Sequence, residues 1–145
     1  MGIRIEIDVD LGKTIENLEA MSARSHDFIP VFERARERLA SANAENFGTG
    51  GLPVGGWAPR SRPYPWPVLR RTGDLMGSLT SLRGAPNEIR PTFAQFGTAV
   101  KYAHFHQSGT SKMPSRKIVF EPPGFARSVG NDAAAHIMGH RSLFA

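Results

Sequence analysis

The 145-residue chain contains no cysteine, which excludes disulfide scaffolds, Cys-ligated zinc, iron–sulfur clusters and thiol nucleophiles together. It also lacks any long apolar run. The longest stretch free of charge, residues 46–59, has 14 residues and is dominated by Gly and Pro, so no bilayer-spanning helix is expected. No secretory leader is expected either, because Met1 is followed by an alternating pattern and not by a basic, then apolar, segment. Acids are scarce in the middle of the chain. Between residues 46 and 120 only Asp74 and Glu88 occur, which leaves glycosidase-like or two-metal chemistry with that single pair of carboxylates.

The length suits one domain that buries about two thirds of its unfolded surface. Apolar residues make up only 40% of the chain, while Gly and Pro contribute 15 and 11 residues, so a large share must be loop or turn and an all-helical bundle is not expected. The net charge of +5 is unevenly spread. Residues 1–46 carry six bases against nine acids, a net of −3, whereas residues 60–117 carry ten bases against two acids, a net of +8. Such a split suits a polyanion, an acidic partner surface or a solvated face.

Ile3, Ile5, Ile7 and Val9 alternate with Arg4, Glu6, Asp8 and Asp10, the period-two pattern of a half-buried strand. Beyond Gly12, Ile15, Leu18 and Met21 predict a helix over about 13–23. Ser25 and Asp27 can cap a second helix over about 27–46, with Pro30 in its first turn. Its apolar stripe is Phe28, Val31, Phe32, Ala35, Leu39 and Ala42, opposite Glu33, Arg34, Glu37 and Arg38, and a core-covering role follows. Thr72 can cap a short helix carrying Leu75 and Leu79. Residues 88–93 and 96–100 predict a hairpin joined at Ala94-Gln95, residues 118–120 a further strand, and residues 132–140 a last small helix. The expected fold is therefore α+β: a small antiparallel sheet of about four strands packed with an N-terminal pair of helices. A single domain is expected over residues 1–145, with a tail over 121–145.

Residues 47–68 form the remaining feature. Ten of these 22 residues are Gly or Pro, too long a span for an ordinary connector. Yet it holds Trp57, Tyr64 and Trp66, which disordered linkers lack. Such a loop is expected to dock, either on its own domain or on a neighbouring subunit.

Catalytic and metal patterns are weak. His104 with His106, and His136 with His140, have acceptable ligand spacing, but no glutamate lies between the second pair. No Gly-x-Ser-x-Gly elbow and no phosphate-binding Gly-x-x-x-x-Gly-Lys-Ser/Thr loop occurs. The fragment Gly48-Thr49-Gly50-Gly51 lacks the spacing of a dinucleotide fingerprint. No enzymatic activity, cofactor or metal is expected.

An ordered set of spacings is more specific. A helix ending near Phe47 and a Gly-rich loop with Trp57 precede Leu69-Arg70-Arg71-Thr72-Gly73-Asp74-Leu75. Tyr102-Ala103-His104-Phe105-His106-Gln107-Ser108-Gly109 follows, and then Met113-Pro114-Ser115-Arg116. Over about residues 47–120 this set resembles the phage virion morphogenesis family, the tail-completion and head–tail neck proteins of tailed bacteriophages. In physical terms Gly73 and Gly109 suit turns, Tyr102 suits a core rim or interface, His106 with Gln107 can tie a loop to backbone groups, and Arg116 can clamp a carboxylate or a carbonyl. With Leu69, Thr72, Leu75, Ala103 and Pro114 these residues read as fold determinants.

The resemblance implies a structural virion protein at the neck, assembled in the cytoplasm of the host bacterium. It would form a homo-oligomeric ring, hexameric by analogy, that meets neighbouring neck or head-completion and tail-tube proteins and passes double-stranded DNA without sequence specificity; no membrane is involved. Trp57, Tyr64, Trp66, Arg60, Arg62, Arg70 and Arg71 are then expected at loop docking and subunit contacts, with Arg83, Arg90, Lys101, Lys112 and Lys117 toward a DNA channel. The alternative is a non-specific nucleic-acid-binding protein that uses the basic segment 60–117 with its interleaved aromatics.

Overall fold

The computed structural model describes residues 11–139. Five α-helices, one short 3-10 helix (Leu52–Val54) and one two-stranded sheet make up its regular structure: α1 (Leu11–Arg24), α2 (Ile29–Gly48), α3 (Asp74–Ser81), α4 (Ala103–Ser108) and α5 (Phe125–Met138), with β1 (Glu88–Arg90) and β2 (Phe93–Gln95). The expectation of a four-stranded sheet is wrong. The described residues are mostly helical, and the strand expected over residues 3–9 lies outside them.

Helix α2 is the spine. Asp27 accepts a hydrogen bond from the Ile29 amide through Oδ1 at 3.1 Å, and Pro30 occupies the first turn, where its missing N–H removes no intrahelical bond. Val31, Ala35, Asn43, Asn46 and Phe47 are buried. The stripe predicted through Ala42 therefore ends on two asparagines, each used to anchor another segment. Asn43 Nδ2 donates to the Leu79 carbonyl in α3 at 2.7 Å, and Asn46 Nδ2 donates to the Lys117 carbonyl at 3.1 Å.

Helix α3 presents Leu75 and Leu79, one turn apart, to the core. Around them lie Phe47, Leu82, Ala103 and Ile118, rimmed by Leu39, Trp57, Leu69, Met76, Phe96 and Val100. Each fully buried Leu, Ile or Phe here contributes about 2 kcal/mol of transfer free energy. Asp74 in the first turn of α3 matches the positive end of the helix dipole.

Two local effects explain the missing strands. The hairpin turns at Pro91-Thr92 and not at Ala94-Gln95, with Glu88 opposite Gln95, Ile89 opposite Ala94 and Arg90 opposite Phe93. Pro91 has a fixed φ and no amide hydrogen, so it suits the turn and not the ladder. Past β2, the Gly97 amide bonds to Asn87 Oδ1 at 2.8 Å and the Val100 amide to Thr98 Oγ1 at 3.2 Å, so side chains occupy donors that a second strand would need. The same happens at residues 118–120. Gln107 Oε1 accepts the amides of Ile118 and Val119, both at 2.9 Å, while its Nε2 donates to the Val119 carbonyl at 2.9 Å. One side chain thus takes the place of a neighbouring strand.

Helix α5 begins at Phe125, after Pro122-Pro123-Gly124, and not at Asp132. Asp132, only 2% exposed, lies at the α2–α5 contact, where Arg34 and Arg38 both reach its Oδ2. At the far end of α5, Arg24 Nε donates to the Ile137 carbonyl at 2.9 Å, and His136 Nε2 lies 2.6 Å from the Asp27 carbonyl.

Candidate binding site

The loop expected over residues 47–68 begins only after α2, which runs through Gly48, and it is fastened to its own domain by Trp57 and Arg116. The Trp57 ring meets Phe47 edge-on with centroids 5.3 Å apart, and its Nε1 donates to the Lys117 carbonyl at 2.8 Å. Gly51 makes room for that ring: at φ +86°, a Cβ there would lie 2.3 Å from Trp57. Arg116, only 6% exposed, donates from Nε to the Ala58 carbonyl at 2.8 Å and from Nη2 to the Pro59 carbonyl at 3.0 Å. Its own amide bonds to the His106 carbonyl at 2.6 Å. Gly109 permits the underlying crossing, since a Cβ there would lie 2.7 Å from the Ser115 backbone nitrogen.

Beyond this clasp the loop curls over a cavity of about 950 Å³. Arg60, Arg62, Tyr64 and Trp66 form one wall, and Leu69, Arg71, Thr72 and Asp74 ahead of and within α3 form another. Tyr102 and His106 of α4, with Lys112, Met113, Pro114 and Arg116, complete it. Segments distant in sequence thus meet at one hollow. The turn over 60–66 is closed by Arg60, whose Nη2 donates to the Trp66 carbonyl. Tyr64 and Trp66 stack on each other, centroids 5.0 Å apart and planes 19° from parallel. A guanidinium lies over each ring: Arg60 at 5.6 Å from the Tyr64 centroid and Arg71 at 5.4 Å from that of Trp66, a favourable cation–π arrangement.

Five cations face a single carboxylate, Asp74, whose Oδ2 already accepts the Thr72 hydroxyl at 2.8 Å. None of the five takes part in an ion pair among the described residues; the pairs there join Arg34 and Arg38 to Asp132, Arg36 to Glu33, and Arg90 to Glu88. Burial, reinforced by the Arg60 guanidinium, pushes Arg116 below its ordinary value. Burial and the charge on Arg116 likewise lower His106, so its imidazole is favoured in the neutral form. His106 Nδ1 is buried without a partner, and the ring stands edge-on to Tyr102 at 5.9 Å. Guanidinium groups and an ammonium group beside an apolar and aromatic wall are chemically able to take an anion.

The remaining residues singled out in the sequence lie elsewhere. Leu75 and Ala103 belong to the core, and Gly73 directly precedes α3. Arg70 does not line the cavity, and its Nε is buried without a partner. Of the residues assigned to a DNA channel, Lys112 lines the cavity, Arg83 lines a separate hollow of about 220 Å³, Arg90 pairs with Glu88 at 2.6 Å, and Lys101 and Lys117 are exposed. Lys112 and Arg83 thus line different hollows. Of the histidines, His104 is exposed against Phe105, His136 bonds to the Asp27 carbonyl, and His140 lies outside the described residues. No group of three His, Asp or Glu side chains able to hold a metal ion occurs among the described residues, and no helix there is long and apolar enough to cross a membrane.

Sequence reasoning missed Asn43, Asn46 and Asp132 as buried polar anchors. The signal available was the heptad-like placement of both asparagines on the apolar face of α2. Comparison of the chain with family models, curated proteins and solved structures finds no match.

Proposed function

We propose that the chain is a structural virion protein of a tailed bacteriophage, a subunit of a ring at the head–tail junction through which DNA passes. In this reading it completes or terminates the tail or forms part of the neck. The supporting observation is the convergence of the residues that carry the family resemblance. Leu69, Thr72, Tyr102, His106, Pro114 and Arg116 line one cavity, and Arg116 and Gly109 fix its walls. Set far apart in the chain yet joined in space, these residues behave as one fold determinant. The ring form is drawn by analogy, and uncovered apolar side chains such as Leu18 and Phe105 suit subunit contacts.

Native mass spectrometry with negative-stain imaging of the purified chain tests the proposal. A closed ring of defined copy number is the expected result. A monomer at every concentration that also fails to join phage heads or tails would sink it.

The nucleic-acid-binding reading has its own support in the Tyr64–Trp66 stack flanked by Arg60 and Arg71. It requires submicromolar DNA binding by the monomer that weakens steeply with salt. Fluorescence anisotropy between 50 and about 300 mM salt discriminates, because a subunit that lets DNA slide past holds it only weakly.

A further inference from the structure

We infer that the cationic cavity receives the acidic N-terminal segment, residues 3–10, of a second copy of this chain; the inference rests on the ring reading and names the contact between neighbouring subunits.

Among the described residues the cavity sets one carboxylate, Asp74, against five cations. Arg116 is buried with only two carbonyls as side-chain acceptors, and buried charge is costly unless an opposite charge answers it. Arg71 lies over the Trp66 ring, an arrangement that leaves its guanidinium edge to form paired hydrogen bonds with a carboxylate, while Arg60, over Tyr64, also donates to the Trp66 carbonyl. Arg62 and Lys112 add exposed cations to the same hollow. Tyr64 and Trp66 are stacked on each other, so a base could stack only on an outer face of the pair. Leu69, Met113 and Pro114 interleave the cations with apolar surface. The ligand this fits is an extended chain that alternates carboxylates with aliphatic side chains.

The sequence contains that ligand. Glu6, Asp8 and Asp10 alternate with Ile5, Ile7 and Val9, and in an extended peptide carboxylates two residues apart recur about every 6.6 Å along one face. The segment leads directly into α1, whose apolar stripe is uncovered: Ile15 is 55% and Leu18 59% exposed. An acidic segment joined to an uncovered helix is what would be expected of an arm that packs on a neighbour. The net charges of −3 at the front and +8 in the middle lie on different parts of the chain. A head-to-tail contact brings these unlike patches together and generates a ring where the rotation closes, whereas a reciprocal exchange of the same two patches about a two-fold axis would stop at a dimer.

Charge reversal followed by rescue tests the inference, read by native mass and sedimentation of full-length chains. The Arg62→Glu, Lys112→Glu variant and the Glu6→Lys, Asp8→Lys, Asp10→Lys variant should each lose the ring while keeping the far-ultraviolet circular dichroism of the parent. A chain carrying all five substitutions should regain it. In parallel, a labelled peptide of residues 2–11 should bind the full chain at low concentration. That affinity should fall at least tenfold when the three acids become Asn and Gln, or in the Arg62→Glu, Lys112→Glu variant. A wild-type ring that survives both reversals overturns the contact and leaves the ring reading standing. A wild type that stays monomeric at every concentration overturns the contact between copies even where the peptide binds, because the segment then docks on no second copy. A cavity that prefers an oligonucleotide or pyrophosphate to the peptide overturns the assignment.

Discussion

Gln107 does the work of a missing strand, so its removal has a definite cost. Three hydrogen bonds pass through one side-chain amide to the backbone of Ile118 and Val119, and Ile118 is fully buried. Gln107→Ala leaves the part-buried Ile118 amide without its acceptor and gives the exposed Val119 groups back to water, and should destabilise the chain by about 1–2 kcal/mol in urea unfolding. Gln107→Glu keeps an acceptor for both amides and loses only the donor to Val119, so its loss should be smaller. His106 makes a second prediction. Its pKa is depressed in the folded chain by burial and by Arg116, so the unfolded state takes up the proton first as pH falls. The stability this group contributes is complete above the ordinary imidazole value of about 6.5 and is lost as pH drops from there toward the lowered folded value. Urea midpoints at pH 8 and pH 5.5 should therefore differ more in the parent than in His106→Gln.

Among the elements, the α2–α5 contact depends on an acid that the sequence hides. Asp132 is 2% exposed and meets Arg34 and Arg38, whose side chains are about one third exposed, so water screens the pair only in part. Asp132→Ala should cost about 2–4 kcal/mol and speed amide exchange across α5 before it does so in α3. The sequence announced α1 and α2 through their apolar spacing, and α3 through Leu75 and Leu79, because helix periodicity is written in neighbours three and four apart. It misplaced the hairpin because Pro91 outweighed the alternation around it, and it overstated the sheet because Asn87 and Gln107 satisfy backbone groups ten or more residues away and Thr98 the amide of Val100. Such side-chain substitutes for a strand leave no periodic trace. The cavity was legible only in pieces: its cations were visible as a +8 segment and its motif residues as separate spacings, but their convergence depends on the Arg116 clasp, which spans more than fifty residues.

For the molecule as a whole, burial and exposure are out of balance. Eight hydrophobic residues form the buried core, while ten large ones, among them Ile15, Leu18, Leu52, Phe105 and Met138, are exposed among the described residues. A lone chain therefore leaves unused much of the apolar surface that stabilises a domain of this size, and association is the direct way to cover it. If folded chains bind one another and unfolded chains do not, mass action adds about 1.4 kcal/mol for each tenfold rise in concentration above the dissociation constant. At this length that raises the melting temperature by roughly 3–5 °C per decade. Scanning calorimetry from about 5 to 500 μM should show the rise. In 0.5 M NaCl the dependence should weaken, because screening would act on the proposed contacts between the acidic front and the basic middle, yet persist in part, because burial of Ile15 and Leu18 in such an assembly would be insensitive to screening. A melting temperature independent of concentration in both salts would mean that the exposed apolar stripe of α1 has no partner in a second copy of the chain.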